Sequence, residues 1–274
     1  MRSALAVMLC GCGTPLGDWV ADNTELGSSC WGGDAVVFTT GSGTTNLTAD
    51  FCSGTAESPA DVVLDEDGTL QIGPGTWHVS LEITGDVVIE GAATAETILA
   101  GEDRSIDSTG SSLTVRDLTI TGEDGVRFRG NMLTIEDCVL SGTKDKPALW
   151  ATAITSVEIH HSTFSNNTAQ TGAVYIAPEG ADLRVEITQS IFSDNRNLKS
   201  DGYDFGALTL LQYNNTTLDI EDTIFTNHTD GSMVWAEGNV SLKGCSFSGD
   251  GSPHPMVVFR AQHNDTCLLY TSDA

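Results

Sequence analysis

Asp117, Asp137 and His161 stand at the same place in three successive copies of a ten-residue pattern, and Arg116 and Glu136 precede the first two of them. If the copies stack as neighbouring strands, the two aspartates lie about 4.8 Å apart and repel unless a cation or a proton intervenes. The column then has two readings. It holds a cation, with Ca2+ the candidate, or it is a solvated corner in which Arg116 offsets the acids. A second set lies in the stretch Arg196–Phe205, where Asp201, Tyr203 and Asp204 offer an aromatic ring and two carboxylates to a sugar or a partner. The plain alternative there is solvated filler.

Other chemistry is thinner. Asp65-Glu66-Asp67-Gly68 has the flavour of a calcium loop but lacks a bidentate Glu at the required spacing. His160 and His161 are adjacent near a bend, where side chains diverge, so they make a poor pair of metal ligands. Gly-x-Ser-x-Gly, a phosphate-binding glycine loop and Cys-x-x-Cys are all absent. No catalytic residue and no metal ligand is assigned on this basis.

The element that must position these residues is Leu113-Thr-Val-Arg-Asp-Leu-Thr-Ile-Thr-Gly122. Counting Leu113 as position 0, apolar residues fall at 0, +2 and +7, a hydroxyl at +8, and Gly, Asn or Asp at +9. The register returns at Leu133, Val157, Val185, Leu218 and Val240, with earlier position-0 residues at Leu70 and Val87. Positions 0 and +2 share one face of a strand, and so do +5 and +7, but the parity changes between the pairs. The chain therefore bends at +3 and +4. Two short strands meeting at a corner describe part of a solenoid coil, and no copy buries its apolar face alone.

A third strand follows the loop after +9: Gly125–Phe128, Gly172–Ile176, Gly206–Leu210, Met233–Trp235 and Met256–Phe259. Three strands of ~3–5 residues per coil fit a parallel β-helix, and about eight coils make a rod of roughly 38 Å. Intervals between copies vary because loops are inserted between fixed strands. Those loops leave one corner, so a rigid scaffold presents variable loops along one edge. The Ser/Thr column at +8 is expected to form a corner ladder, with a hydroxyl binding strip as its functional reading.

The chain has 274 residues, 39% of them apolar, and 29 glycines against 7 prolines, which favours short strands and turns. Twelve basic and 38 acidic residues give a net charge of −26. That excludes nucleic acid as a partner, whose binding needs clustered Lys and Arg. It fits solubility in a salty exterior, or binding of Ca2+ or cationic partners.

Residues 1–12 read as a secretory signal ending in Leu9-Cys10-Gly11-Cys12, which resembles a bacterial lipobox with Cys12 as the lipidated residue. That resemblance implies export to the outer membrane or cell surface of a Gram-negative bacterium. Residues 13–60 read as a tether and N-terminal cap, 61–266 as the solenoid, truncated at its C-terminal end, and 267–274 as sequencing-adapter read-through. Of 7 cysteines, Cys30 and Cys52 share the cap of an exported chain and are paired as a disulfide. Cys138 and Cys245, both at +5, read as small buried apolar residues.

Thr69–His78, with its Pro-Gly-Thr-aromatic turn, and Leu81–Gly91 after it resemble the opening of right-handed parallel β-helix proteins. The implied fold class is all-β, a right-handed single-stranded parallel β-helix. Phe164-Ser-Asn-Asn167 followed by Gly172-Ala-Val174, and Phe192-Ser-Asp-Asn195 followed by Gly206-Ala-Leu208, resemble polymorphic outer-membrane protein repeats, which implies surface display and adhesion. β-Helix polysaccharide lyases, in turn, use cation-holding carboxylates with an Arg base. The polygalacturonase-type Asn-Thr-Asp, Asp-Asp and Gly-His-Gly signatures are absent. The expected function is a non-catalytic, lipid-anchored β-helix binding a polysaccharide or another surface protein. A polysaccharide lyase or hydrolase, or a structural segment of a larger passenger, are the alternatives.

Overall fold

The computed structural model describes residues 35–101, 104–179, 182–198, 205–211, 216–249, 256–260 and 267–270, with side chains for all but residues 154, 260 and 267–270. Cys12, Cys30, Asp201, Tyr203 and Asp204 lie outside the described residues. The chain winds through three strand faces per coil. The first face carries Gly68–Ile72, Val87–Gly91, Ser112–Arg116, residues 132–136 and 156–160, Arg184–Thr188, Thr217–Glu221 and Asn239–Lys243. The second is an 8-stranded sheet running from Gly75–Trp77 to Ser246–Ser248. The third carries Ala60–Leu64, Val79–Ile83, Ile106–Ser108, residues 126–130 and 149–153, Val174–Ile176, Leu208–Leu210, Val234–Glu237 and Val257–Arg260. First and third faces merge into one 18-stranded sheet because Val126–Glu136 and Leu149–His160 run unbroken around their shared corner.

Among the described residues of the solenoid the pairings are parallel, with one register shift between Gly130 and Met132, and like positions pile into interior rows. Val87, Leu113, Leu133, Val157, Val185, Leu218 and Val240 form one buried row at position 0. Position +7 forms another: Phe164, Phe192, Phe225 and Phe247 stack with centroids 5.0, 4.7 and 5.1 Å apart and planes within 12°. Each fully buried ring of this kind contributes about 1.5–3 kcal/mol by leaving water. Leu70 pairs with Ile89, not Val87, so the first coil is displaced by two from the sequence reading, and Gly68 occupies position 0. A shift of two keeps Leu70 on the core face, which is why the apolar pattern hid it. The sequence reading also passed over third-face strands whose outward residues break the pattern, among them 149–153.

The parity change has a single backbone cause. Position +4 is left-handed in six coils: Asp117 (φ 59°), Asp137 (49°), His161 (49°), Gln189 (48°), Asp222 (49°) and Gly244 (63°). Position +9 is a second such corner at Asn166, Asp194 and Asn227, with φ 54–56°. Asp and Asn enter this region at low cost because their short polar side chains bond locally. Gly172 has φ +100°, and a Cβ there would meet the Gly206 carbonyl oxygen at 1.9 Å, so the close approach of the next coil admits no side chain at this position.

Two ladders tie the corners inside. At +5, Cys138 N–H donates to Ser162 Oγ (3.1 Å), Ser162 N–H to Ser190 Oγ (3.2 Å) and Ser190 N–H to Thr223 Oγ1 (3.4 Å). Each of these hydroxyls donates in turn to the carbonyl two residues back. At +10, Thr143 N–H donates to Asn167 Oδ1 and Asn167 Nδ2 to Asn195 Oδ1, both at 3.1 Å. This inward hydroxyl ladder at +5 is additional to the column expected at +8, where Ser248 and Thr226 hydroxyls meet at 3.0 Å. The +8 residues Thr121, Ser141, Ser165, Ser193, Thr226 and Ser248 are in register but face outward.

The hairpin Val36–Thr40 and Gly43–Asn46 lies antiparallel against Gly68–Ile72, and Phe51 of the short helix Thr48–Phe51 meets Trp77 edge-on at 6.0 Å. This covers the sheet edge at the start of the solenoid. Cys52 is disulfide-bonded, while Cys138 and Cys245 are free, the first buried and the second half-buried. The backbone of Cys267–Tyr270 pairs parallel with Asn239–Lys243.

Candidate functional site

Three of the sequence candidates come together as foreseen. Asp117, Asp137 and His161 follow one another along the first corner, each backbone N–H donating to the +3 carbonyl of the next coil (3.3, 3.1 and 3.1 Å). Glu136, Asp137 and His161 form one group, each with a ligand-capable atom within 4.8 Å of the others. Arg116 pairs with Glu90 on the preceding coil and also offsets the corner acids, as the solvated-corner reading expects, though only in part. Asp117 reflects this: burial raises its carboxyl above the ordinary value, Asp137 raises it further, Arg116 lowers it and Glu136 raises it again.

The third face carries a site that the sequence reading missed. Outward positions Glu82, Asp107, Arg127, Trp150 and Tyr175 lie side by side on five neighbouring strands. Arg127 Cζ sits 5.3 Å from the centre of the Trp150 ring, and Trp150 meets Tyr175 edge-on at 5.6 Å and 81°. Trp150 keeps 36% of its surface exposed. Farther along, the row closes over, with Thr209 and Trp235 buried and Phe205 set edge-on to Trp235 at 5.2 Å.

Around the open stretch gather Arg104, Arg129 and Lys146. Arg104 pairs with Asp107 and, through Nε at 3.7 Å, with Asp124; Lys146 Nζ is 3.5 Å from Asp124; Arg129 is 3.4 Å from Asp107. Arg127 enters no ion pair among the described residues; its guanidinium lies over the Trp150 ring and acts on the Asp124 carboxyl from a distance. Asp124 is only 4% exposed, and burial pushes its carboxyl above the ordinary value, with Lys146, Arg104 and Arg127 drawing it back.

Chemically, the stretch combines an aromatic surface, able to stack on the C–H face of a sugar ring, with a guanidinium held over that surface without an ion pair and able to bind carboxylate or sulfate in a fork. Coils spaced about 4.8 Å apart hold the partners rigidly along the rod. The available signal was the alternation in Val126-Arg-Phe128, Leu149-Trp-Ala151 and Val174-Tyr-Ile176, each an apolar-X-apolar strand whose middle residue points out.

Residues 104–251, more than half of the chain, match a family model described as the right handed beta helix region. No curated protein and no solved structure matches the chain.

Proposed function

The chain belongs to the right-handed β-helix family, and from that premise we propose that it is a non-catalytic binding scaffold, lipid-anchored at the cell surface, whose ligand is a glycan. The observation that carries this reading is the outward row Arg127, Trp150 and Tyr175, held in register by parallel pairing. An exposed Trp propped edge-on by a Tyr and flanked by a guanidinium is a rigid contact surface that costs little ordering on binding. The lipobox-like Cys12 supports surface anchoring, and the Phe-x-x-Asn copies support display, although Asn167 and Asn195 also have a structural task as interior carbonyl caps.

The test is glycan-array binding by the full chain. Trp150→Ala lowers binding at least tenfold with the circular-dichroism spectrum unchanged, in line with the ~1 kcal/mol or more that stacking contributes beyond area burial. Binding that survives this change removes the site from the third face. Depolymerisation of an acidic polysaccharide in the presence of Ca2+, abolished by Arg127→Gln or Asp137→Ala, would replace the scaffold reading with a lyase.

A further inference from the structure

The first corner lies apart from the third-face row, and one part of it is built differently from a run of surface acids. The group Glu136, Asp137 and His161 joins an imidazole to two carboxylates, with ligand-capable atoms within 4.8 Å of one another. We propose that these three side chains bind a divalent first-row transition ion of the Zn2+ class, not Ca2+.

The donor set decides the class. Calcium takes six to eight oxygen ligands and gains nothing from an imidazole. Zinc takes a neutral imidazole nitrogen at about 2.0–2.1 Å and carboxylate oxygens at about 2.0–2.2 Å, with water completing the shell. Asp137 and His161 are both exposed and on adjacent coils, so small side-chain rotations draw the three donors together without moving the backbone.

The histidine also has an outer-shell partner of the kind that metal-bound imidazoles have. One ring nitrogen, Nε2, lies 2.6 Å from Gln189 Oε1 on the next coil. An amide oxygen accepts only, so Nε2 carries the proton and Nδ1 holds the free lone pair. Fixing the tautomer through the second nitrogen is what outer-shell partners do for metal-bound imidazoles. Arg116 is turned to Glu90, and neither Glu136 nor Asp137 enters an ion pair among the described residues. The bound cation therefore adds the direct charge partner that Glu136 and Asp137 do not have among the described residues.

Isothermal titration of the EDTA-treated full chain with ZnCl2, and separately with CaCl2, tests the assignment. The expected result is one Zn2+ per chain and no comparable heat from Ca2+. His161→Asn and Asp137→Asn, which retain a residue suited to the left-handed backbone, each weaken Zn2+ binding at least tenfold. Gln189→Gly, which also suits the left-handed backbone, weakens it about tenfold through loss of the ring's outer partner. Zn2+ binding that is unchanged in both Asn variants would place the ion elsewhere and overturn the proposal. So would the absence of Zn2+ binding, or Ca2+ binding more tightly than Zn2+.

Discussion

At the scale of the residue, the corner after the first face does most of its work through one side chain per coil. Ser162 accepts the Cys138 N–H and donates to the His160 carbonyl, both inside the wall. Ser162→Ala leaves a buried N–H without its partner and is expected to cost about 1–3 kcal/mol in urea denaturation. Ser162→Cys should recover part of that, since Cys138 and Cys245 donate to carbonyls from the same position. Those two thiols stay chemically quiet; burial pushes the Cys138 thiol up to about 12. Asp124 gives a pH test. Its carboxyl titrates higher folded than unfolded, so it favours folding while protonated, and that contribution is lost as pH rises from the ordinary value of 3.8 through the raised one. Asp124→Asn removes the dependence. Relative to wild type, its Tm should be higher at about pH 7 than at about pH 4, by about 1–3 °C in scanning calorimetry. That Asp124 would be buried was not legible in the sequence. Beside Glu123 it reads as a polar loop, and only the fold brings Arg104 and Lys146, twenty or so residues away on either side, against it.

At the scale of the element, what was legible depended on which face of a strand carried the signal. Buried rows announce themselves by apolar residues at fixed offsets, so the first and second faces, the bend at +4 and the phenylalanine column could all be read from the chain. The parity argument located the corner, and the left-handed residues at Asp117 through Gly244 are its backbone explanation. Outward rows carry no such constraint. Arg127, Trp150 and Tyr175 differ in type and sit 23 and 25 residues apart, so nothing in the sequence joins them until parallel pairing sets their register. The Ser/Thr column at +8 is legible because every copy carries a hydroxyl there, whereas the inward ladder at +5 is not, because Ser162, Ser190 and Thr223 are flanked at that position by Leu118, Cys138 and Cys245. The phenylalanine stack also predicts how damage spreads. Phe192 contacts a ring on each side, so Phe192→Ala should cost about 3–5 kcal/mol, whereas Phe247→Ala, half-buried at one end of the stack, should cost distinctly less. Equal losses in denaturant melts would mean that the column does not act as a continuous core.

At the scale of the whole molecule, the same register that aligns the core also aligns the charges. Glu158, Glu186 and Asp219 stand opposite one another on three neighbouring strands, about 4.8 Å apart, where like charges destabilise a sheet. Arg184 meets Glu186 at 2.8 Å, and His160 lies 3.8 Å from Glu158, but 12 basic residues cannot offset 38 acidic ones. Repulsion across a net charge of −26 opposes the compact state, and salt screens it, with a Debye length falling from about 30 Å at 0.01 M to about 3 Å at 1 M. The attractive pairs, such as Arg116 with Glu90 and Arg196 with Asp230 at 2.7 Å, are screened as well, but they are exposed and each contributes only about 0–1 kcal/mol. Summed over the chain, repulsion outweighs these attractions. Tm should therefore climb by several degrees as NaCl is raised from about 0.01 M to about 0.5 M, and Asp219→Asn should flatten the climb by relieving one column. A Tm that falls with salt would mean that the ion pairs outweigh the stacked acids, and the excess acidity would then have no cost to the fold.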